Sequence, residues 1–537
     1  MLRIAEKVKG TARLLQAAAV LCRRGMVDPR RPRYAIAASR ALRRYGAFGG
    51  LVAYTAARYG DAPAITDDNE TVSYRELDRR SDVVAQLILD GAGRRGVVAL
   101  LRRNSAHVVV ELAAANKAGV RCVLLNTGFA APQLADVCTR EGVTAVIADD
   151  EYADRLESLP DGCVRLDVDG ASAAYRPHRL PAPDCPGGLV LLTSGTTGTP
   201  KGAPRERISP LQSAQLLDRI PWPQNSTYCV AAPLFHATGL ATCSVGLALG
   251  NRVVLSRRFD PVVTLGVIER YRAGAVIVVP TMLSRLLDLS PDVLDSIDTS
   301  SLRVVFAAGS SLSPALCRRT AARFGEVLYN LYGSTEVATA AVATPEELRQ
   351  APGTVGRPPV GCTVAVYERD GTRVTTPGRV GTLYVSSGLS FSGYTGGGHK
   401  KVIDGLLSTG DTGHFDENGL WFIDGRDDDM IVSGGENVYP LEVENLLVEL
   451  PGVLDAAVVG VDDADFGSRL RAFVVADPGA AGAGTVDAEA IRDAVRARLA
   501  RHKVPRDVVF VAELPRNDTG KVLKKRLAEM GPHRDDA

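Results

Sequence analysis

The sequence lacks the features that would place the protein outside the cytoplasm or tie it to zinc. Its nine cysteines are odd in number, scattered and without a CxxC pair, which favours a reducing compartment. No run approaches the ~18 apolar residues of a membrane span. The apolar residues 14–22 are few, precede Arg23 and Arg24, and are followed by no small-residue cleavage site. We therefore expect a cytoplasmic protein without a cleaved signal peptide.

The sequence also lacks net charge, because 63 basic residues balance 62 acidic ones to within one unit. The balance is uneven, since residues 1–60 contain 13 Lys or Arg against only Glu6 and Asp28. Such a basic, partly amphipathic segment either lies on an anionic membrane surface or packs as a solvated helix on its own protein. We expect a basic N-terminal extension over residues 1–45 that admits peripheral membrane association. No nucleic-acid-binding fold is recognisable, so we expect no nucleic-acid partner.

The order of predicted elements indicates a large α/β domain with parallel sheets. At 537 residues the chain is long enough for two or three domains. Strands and helices alternate, which is typical of parallel sheets. The predicted helices are 105–118 and 131–141, and the predicted strands are 96–101, 120–125, 145–148, 188–192, 229–232, 251–255, 275–279 and 302–307.

Two later regions differ from this pattern. Short strands with turn residues over 358–394 predict a small β subdomain. From residue 426 a compact α+β domain is expected, and a Gly/Ala linker over 478–484 interrupts it. Its predicted elements are helices 440–450 and 487–502 and strands 456–461, 471–476 and 508–511. We predict a large domain over 46–426 and a small, mobile domain over 427–537.

Residues 191–202, LLTSGTTGTPKG, are suited to binding phosphate. Glycines let backbone N–H groups turn inward, the Thr and Ser hydroxyls add donors, and Lys201 adds a cation. The stretch lacks a Walker A motif. That motif consists of Gly, any four residues, Gly, Lys and then Ser or Thr. Starting from Gly195, the position of the second Gly is occupied by Pro200, and Lys201 is followed by Gly202 instead of Ser or Thr. A Gly/Thr surface loop is the alternative that the residue types alone leave open.

Four further segments carry chemistry-bearing residues. They are APLFHATGL at 232–240, NLYGSTEVA at 330–338, STGDTGHFDENGLWFIDGRDDDMIVSGGENVYP at 408–440 and LPRNDTGKVLKKRL at 514–527. Singly, each is explained by a turn, a structural histidine or a basic solvated tail. The occurrence of all five segments in this order is a far more specific indication of function than any single segment.

In that order the five segments resemble the signatures of the acyl-adenylate-forming (AMP-binding) superfamily, most closely bacterial fatty acyl-CoA synthetases. The superfamily also includes peptide-synthetase adenylation domains and firefly-type luciferases. The resemblance implies ATP-dependent activation of a carboxylic acid to an acyl-AMP with release of pyrophosphate, followed by transfer to a thiol. It also implies ATP, Mg²⁺ and CoA as the small molecules bound.

The resemblance assigns roles residue by residue. Lys521 reaches the α-phosphate and the acid, Thr335 touches the α-phosphate, Glu336 holds Mg²⁺, and His236 positions the acid. Tyr332 stacks on adenine, and Asp411 and Arg426 bind ribose or phosphate. The remaining residues expected to bind nucleotide or CoA are Thr193, Ser194, Gly195, Thr196, Thr197, Gly198, Lys201, Gly309, Gly333, Gly434 and Gly435. Asp428 or a neighbouring aspartate is the expected hinge for domain rotation.

We expect an acyl-CoA ligase that acts on a fatty acid. The segment 433–437 and the lack of an attached carrier domain favour free CoA as the acceptor. One alternative is a stand-alone ligase that loads a carrier protein, and another is a catalytically silent ATP-binding homologue. The silent homologue predicts loss of Lys521, Glu336 or Asp411, and all three are present.

Overall fold

The computed structural model describes the chain except for residues 1, 170–179, 181–182, 186, 194–199, 206–209, 389–392, 396, 398, 434–435, 464–466, 478–485, 518–519 and 531–537. Its first part contains α1 (Leu2–Arg23), α2 (Pro32–Tyr59), β1 (Pro63–Thr66), β2 (Thr71–Ser73), α3 (Tyr74–Ala92), β3 (Val97–Leu101), α4 (Ala106–Ala118), β4 (Arg121–Leu124), α5 (Ala131–Glu141), β5 (Ala145–Ala148), a 3₁₀ helix (Asp150–Ser158), β6 (Val164–Arg165), β7 (Leu189–Thr193) and β8 (Lys201–Arg205).

The central part continues the alternation of helix and strand. It contains α6 (Pro210–Asp218), β9 (Thr227–Val230), α7 (Ala237–Ala248), β10 (Arg252–Leu255), α8 (Pro261–Arg270), β11 (Ala275–Val278), α9 (Pro280–Leu287), α10 (Pro291–Asp295), β12 (Val304–Ala308), α11 (Pro314–Phe324), β13 (Leu328–Ser334), β14 (Ala338–Ala343) and α12 (Pro345–Gln350).

The last part is richer in strand. It contains β15 (Thr363–Tyr367), β16 (Arg373–Val374), β17 (Gly381–Ser386), β18 (Val402–Ile403), β19 (Leu406–Phe415), β20 (Trp421–Arg426), a 3₁₀ turn (Asp427–Asp429), β21 (Ile431–Ser433), β22 (Glu436–Val438), α13 (Pro440–Leu447), β23 (Val453–Asp463), β24 (Gly467–Ala476), α14 (Ala488–Arg498), a 3₁₀ turn (Arg501–Lys503), β25 (Asp507–Phe510) and α15 (Lys524–Glu529).

Two mainly parallel sheets form the large domain, as the sequence pattern predicts. One has the order β6-β5-β3-β4-β7-β8 and the other β14-β13-β12-β11-β9-β10-β1-β2. Strands β3, β5, β9, β11 and β12 are almost entirely buried, because helices cover both faces of a parallel sheet. Antiparallel pairs occur at sheet edges, including β7 with β8 and β13 with β14. The predicted mixed α/β fold is confirmed.

The small β subdomain extends further than residues 358–394, the range predicted from sequence. Its sheet has the order β16-β15-β17-β19-β18, and β20 pairs with β19. The prediction missed β19 and β20 because their Gly, Asp and Thr residues look like turns rather than strands. Their pairing places Asp411 directly opposite Arg426.

The small domain is an α+β unit, as predicted. Its sheet has the order β23-β24-β25. Helices α13 and α14 end earlier than predicted, at Leu447 and Arg498. Since helix ends are the least predictable part of an element, the architecture is unaffected.

The second half of α1 packs into the core of the large domain. Ala17, Val20 and Leu21 are buried in the same apolar cluster as Leu217 of α6. The guanidinium of Arg24 donates to the carbonyl oxygen of Leu217 at 2.9 Å. This segment is therefore a structural helix. Of the helices described, none is both long and apolar enough to cross a membrane.

Candidate active site

The predicted phosphate loop joins β7 to β8. The two strands are antiparallel, with Thr193 opposite Lys201. The loop residues Ser194, Gly195, Thr196, Thr197 and Gly198 lie outside the described part of the chain. Lys201 is exposed, and its Nζ lies 5.2 Å from the centroid of the Tyr394 ring.

The returning end of this loop is anchored to two other segments. The backbone N–H of Thr395 donates to the carbonyl of Gly202 at 3.0 Å, and the Thr395 hydroxyl donates to Glu141 Oε1 at 2.6 Å. A Cβ at Gly202 would lie 2.5 Å from each of these two side chains. Arg140 also donates to the carbonyl of Pro200. Position 202 therefore has no room for a side chain.

Tyr332, Asp411 and Arg426 form one connected group. The Tyr332 hydroxyl donates to Asp411 Oδ2 at 2.6 Å, and Asp411 Oδ1 lies 3.7 Å from Arg426 Nη1. Burial raises the pKa of Asp411, although the hydrogen bond from Tyr332 and the charge of Arg426 oppose this rise. The structure thus brings together the three residues that the resemblance assigns to adenosine.

Thr335 and Glu336 lie in the tight turn between β13 and β14. Gly333 permits this turn, because a Cβ there would lie 1.8 Å from the carbonyl oxygen of Ala338. Glu336 is buried, and Tyr394 donates its hydroxyl to Glu336 Oε1 at 2.6 Å. Burial favours the neutral carboxyl, but nearby positive charge and hydrogen bonds outweigh it and lower the pKa of Glu336. The group is therefore a carboxylate at neutral pH.

Lys521 enters the same cleft from the small domain. Its backbone N–H donates to the Asn517 side chain at 2.9 Å, within a turn closed by Gly520. Gly520 has φ +75°, and a Cβ on it would lie 2.1 Å from Thr281 Oγ1 at the start of α9. The turn is thus pressed against the large domain.

The charges around Lys521 come from the large domain. Desolvation by the cleft walls, followed by the charge of Arg426, lowers the pKa of Lys521. Asp411 and Glu336 oppose this shift, while Lys400 adds to it. The Lys521 side chain is nevertheless accessible to water in the cleft. The charged groups that act on Lys521 thus all belong to the large domain.

His236 follows the carboxyl end of β9 and directly precedes α7. Its ring contacts Phe235, with centroids 4.5 Å apart. Burial, with a smaller effect of Lys521, lowers the pKa of His236 to about 4. Among the described residues, buried Nε2 has no hydrogen-bond partner. A neutral imidazole with an unpaired buried nitrogen is well placed to form a hydrogen bond with a polar group of a substrate.

The remaining predicted residues are placed only in part. Gly309, with φ +98°, follows β12 at the carboxyl edge of the second sheet, where ligands bind in open α/β sheets. Gly434 and Gly435 lie outside the described residues. Asp428 lies in the 3₁₀ turn after β20, where its Oδ1 accepts from Arg426 Nε at 2.8 Å.

Sequence reasoning missed Tyr394 and Lys400. Lys400 donates to the carbonyl of Thr409 at 2.7 Å, which holds it beside β19 near Asp411. The available signals were an aromatic residue in a Gly-rich stretch and a cation before the Asp411 strand. Neither residue type is diagnostic, and their partners are distant in sequence.

A second cluster of ligand-type side chains is an ion network away from this cleft. His107, Glu111 and Asp169 lie close together. Arg102 contacts Glu111 at 2.7 Å, Asp149 at 3.1 Å and Asp169 at 2.9 Å. Since the guanidinium of Arg102 already contacts all three carboxyl groups, a metal cation would have to displace it, and the cluster is not a good cation site.

Comparison with known proteins agrees with this geometry. The AMP-binding enzyme family matches residues 52–395, and the AMP-binding enzyme C-terminal domain matches residues 442–521. An indoleacetate–CoA ligase of Aromatoleum aromaticum is 32% identical, covering 87% of this chain and 94% of that protein. A medium/long-chain-fatty-acid–CoA ligase of Mycobacterium tuberculosis is 31% identical, covering 89% of each. A fatty acid–acyl-carrier-protein ligase of Streptomyces coeruleorubidus is 31% identical, covering 87% and 93%.

Solved structures show the same architecture. The o-succinylbenzoate CoA synthetase of Bacillus subtilis, in complex with its acyl-adenylate intermediate, has a TM-score of 0.77 and 26% identity. ATP-bound MatB of Rhodopseudomonas palustris has a TM-score of 0.79 and 28% identity. Each match covers 90% of this chain and 98% of the other. The chain therefore belongs to the family of AMP-binding enzymes, and its relatives named above are acid–CoA and acid–carrier-protein ligases.

Proposed function

We propose that this protein activates a fatty acid with ATP to an acyl-AMP and then transfers the acyl group to CoA. The observation that carries the proposal is the position of Lys521. This cation of the small domain shares a cleft with Asp411, Arg426 and Glu336 of the large domain. Such an arrangement suits a reaction between two anions, a carboxylate and a triphosphate.

Tyr332, Asp411 and Arg426 hold the adenosine in this proposal. The Tyr332 ring offers a flat apolar surface to adenine, and its hydroxyl fixes the Asp411 carboxylate. That carboxylate accepts hydrogen bonds from the ribose hydroxyls, and Arg426 donates to ribose or phosphate. The α-phosphate then faces Thr335 and Lys521.

In the first step an oxygen of the acid attacks the α-phosphorus, and the bond to the bridging oxygen of pyrophosphate breaks. Lys521 stabilises the negative charge that develops on the phosphate. No general base is required, because a carboxylic acid is ionised at neutral pH. His236, with a pKa of about 4, is neutral there and orients the acid through Nε2.

In the second step the sulfur of CoA attacks the acyl carbonyl, and AMP leaves with the electrons of the broken acyl–phosphate bond. The thiol proton passes to solvent. The small domain must move for this step, because Lys521 and its turn occupy the cleft.

The residues in the cleft fit Mg²⁺ as the companion of ATP. Glu336 supplies an ionised oxygen ligand, and Mg²⁺ in nucleotide sites usually binds one or two carboxylates together with phosphates and waters. When bound, Mg²⁺ neutralises phosphate charge. We assign Glu336 to hold it and Tyr394 to orient Glu336.

Two observations support a fatty acid. Two relatives named above, the ligases of Mycobacterium tuberculosis and Streptomyces coeruleorubidus, act on fatty acids. In addition, the partly exposed positions of α7, next to His236, carry only small side chains: Ala237, Thr238, Ala241 and Ser244. This strip spans about 10 Å of helix and leaves room for an extended chain.

The acceptor proposed here is CoA. The indoleacetate and medium/long-chain fatty-acid relatives are CoA ligases. A carrier protein is the second candidate for the acceptor, because the relative from Streptomyces coeruleorubidus is a carrier-protein ligase.

The test is pyrophosphate release from ATP and Mg²⁺ with a panel of acids, in the presence and absence of CoA. We expect release to require a fatty acid and to reach steady turnover with CoA. Release that stops near one acyl-AMP per enzyme despite CoA would favour a carrier protein. Turnover with aromatic acids alone would overturn the fatty-acid assignment, and no release with any acid would indicate a silent homologue.

Lys521→Ala separates the two steps. We expect it to lower pyrophosphate release by on the order of 10² to 10³, typical for loss of one charge-stabilising donor. Thioester formation from supplied acyl-AMP should be nearly unchanged. Neighbouring Lys525→Ala is the matched control and should affect neither step. Equal loss of both steps in Lys521→Ala would reject this role.

A further inference from the structure

The first half of α2 is an exposed cationic surface. At Gly46, with φ 76° and ψ −172°, α2 bends sharply. A Cβ on Gly50 would lie 2.5 Å from the Cα of Leu42, so the two halves fold against each other. Phe48 and Val52, after the bend, are buried, whereas no residue of α2 before Gly46 is fully buried.

The outer side of this half is made of arginine around one aliphatic residue. At 3.6 residues per turn, Arg33, Ile36, Arg40, Arg43 and Arg44 point to one side. We call these five residues the cationic face. Ile36 is 50% exposed although it is aliphatic. The Arg-rich side is thus directed at solvent.

The cationic face has almost no counter-charge of its own. From residue 29 to residue 60 the sequence has no acidic residue. Within the described residues, none of Arg33, Arg40, Arg43 and Arg44 forms an ion pair with a carboxylate. Burial raises the pKa of Asp82, and the charge of Arg44 opposes this rise slightly. The Asp82 carboxylate, however, already forms an ion pair with Lys117. The face is therefore complementary to a dense array of negative charge.

The exposed aliphatic side chain of Ile36 lies among these arginines. A nucleic-acid backbone offers no partner to such a side chain. A bilayer accepts aliphatic groups below its charged headgroups, while arginine stems extend to the phosphates.

We propose that the cationic face docks the protein on an anionic lipid bilayer. The arginines contact lipid phosphates, and Ile36 enters the headgroup region. Docking through this face leaves the second half of α2 and the end of α1 packed in the large domain, so the enzyme need not unfold.

The test is flotation of the full chain with vesicles. We expect binding to vesicles of phosphatidylglycerol and phosphatidylcholine, loss of binding at high salt, and little binding to phosphatidylcholine alone. Each arginine near an anionic surface contributes about fivefold to binding. The triple variant Arg40→Glu, Arg43→Glu, Arg44→Glu should therefore lose at least about a hundredfold in partition coefficient.

The matched control reverses three other exposed arginines, Arg95→Glu, Arg121→Glu and Arg349→Glu. It has the same net charge and should retain binding within about threefold. Ile36→Ser should weaken binding without altering its salt dependence. Thermal melting of each variant confirms that it folds.

Three outcomes overturn the proposal. They are equal loss in the control triple variant, unchanged binding in the test triple variant, and binding to phosphatidylcholine as tight as to anionic vesicles. Binding of duplex DNA through Arg40, Arg43 and Arg44, with no vesicle binding, would assign the face to nucleic acid instead.

Discussion

Tyr394 joins the phosphate loop to the proposed metal ligand. Its ring lies beneath the ammonium of Lys201, and its hydroxyl donates to Glu336. A single side chain therefore makes a cation–π contact on one side and a short hydrogen bond on the other. We infer that Tyr394 orients Glu336.

Tyr394→Phe should raise the Mg²⁺ concentration needed for half-maximal pyrophosphate release by about tenfold. The variant keeps the ring and loses only the hydrogen bond to a charged group, which contributes roughly 1.5 kcal/mol. Tyr394→Leu should in addition raise the KM for ATP, because the contact with Lys201 is lost. A Mg²⁺ titration at saturating ATP measures the first effect, and an ATP titration at saturating Mg²⁺ measures the second. An unchanged titration in Tyr394→Phe would contradict the orienting role.

At the scale of single residues, the sequence reveals only those that lie in recognisable segments. Tyr332, Glu336, Asp411, Arg426 and Lys521 occur in such segments, and the structure brings them into one cleft. Their individual roles remain predictions. Tyr394 and Lys400 were not predicted, because their importance depends on contacts with residues that only folding brings near.

Among the elements, the β19–β20 hairpin positions two residues that we propose bind nucleotide. Asp411 and Arg426 are cross-strand partners at one end of it. Toward the other end, His414 Nδ1 lies 2.8 Å from Asp424 Oδ2, and the His414 ring stacks on Phe422 at an interplanar angle of 9°. The hydrogen bond to Asp424 raises the pKa of His414.

His414→Asn should therefore destabilise the protein more at pH 6 than at pH 9. Because the folded-state pKa is raised, the stabilisation is complete below the unfolded value near 6.5 and is lost as pH rises through the folded value. The expected difference in unfolding free energy is about 1 kcal/mol at the lower pH. Denaturant unfolding at both pH values measures it. A difference that grows with pH would mean that the charged pair does not stabilise the hairpin.

Helix α7 carries the second prediction at this scale. Ala241→Trp fills the middle of the strip of small side chains, so it should lower activity on long-chain acids at least tenfold while retaining activity on short ones. Ala273→Val in the buried core tests whether general destabilisation has the same effect. Equal loss for all chain lengths in Ala241→Trp would place the acyl chain elsewhere.

Sequence patterns identified elements better when the elements were apolar and regular. Buried strands such as β5 and β11 were predicted to within one residue of their observed ends. Strands β19 and β20 were missed, because Gly, Asp and Thr residues interrupt the usual alternation of apolar and polar side chains. Neither α2 nor its break at Gly46 was predicted from the sequence.

For the whole molecule, the contacts between domains define one arrangement of the small domain. Gly520 abuts Thr281, and Arg318 of α11 forms an exposed ion pair with Glu449 at 3.1 Å. Such an exposed ion pair contributes little to holding the two domains together. The division after Arg426 remains a prediction, as does the hinge at Asp428.

Asp428→Pro should slow CoA thioester formation at least tenfold more than Asp428→Ala does, because both variants remove the contact with Arg426 but only proline fixes the backbone. Proline fixes φ near −65° and so restricts rotation at that residue, although it also disfavours the helical conformation of Asp427 before it. Asp427→Pro is the control, because Arg426 before it is extended and accepts a following proline. Separate assays of the two steps measure all three variants. A defect confined to Asp427→Pro would move the hinge by one residue.

Two other cations, Arg426 and Lys400, lower the pKa of Lys521, and two carboxylates, Asp411 and Glu336, oppose them. Such a cluster of cations makes the position of the small domain sensitive to bound anion. With the triphosphate present, the three cations have a common partner, and closure of the domain is favoured. Once pyrophosphate departs, much of the negative charge is gone and mutual repulsion of the cations returns. We expect release of the first product itself to loosen the small domain, so that the order of the two steps follows from electrostatics.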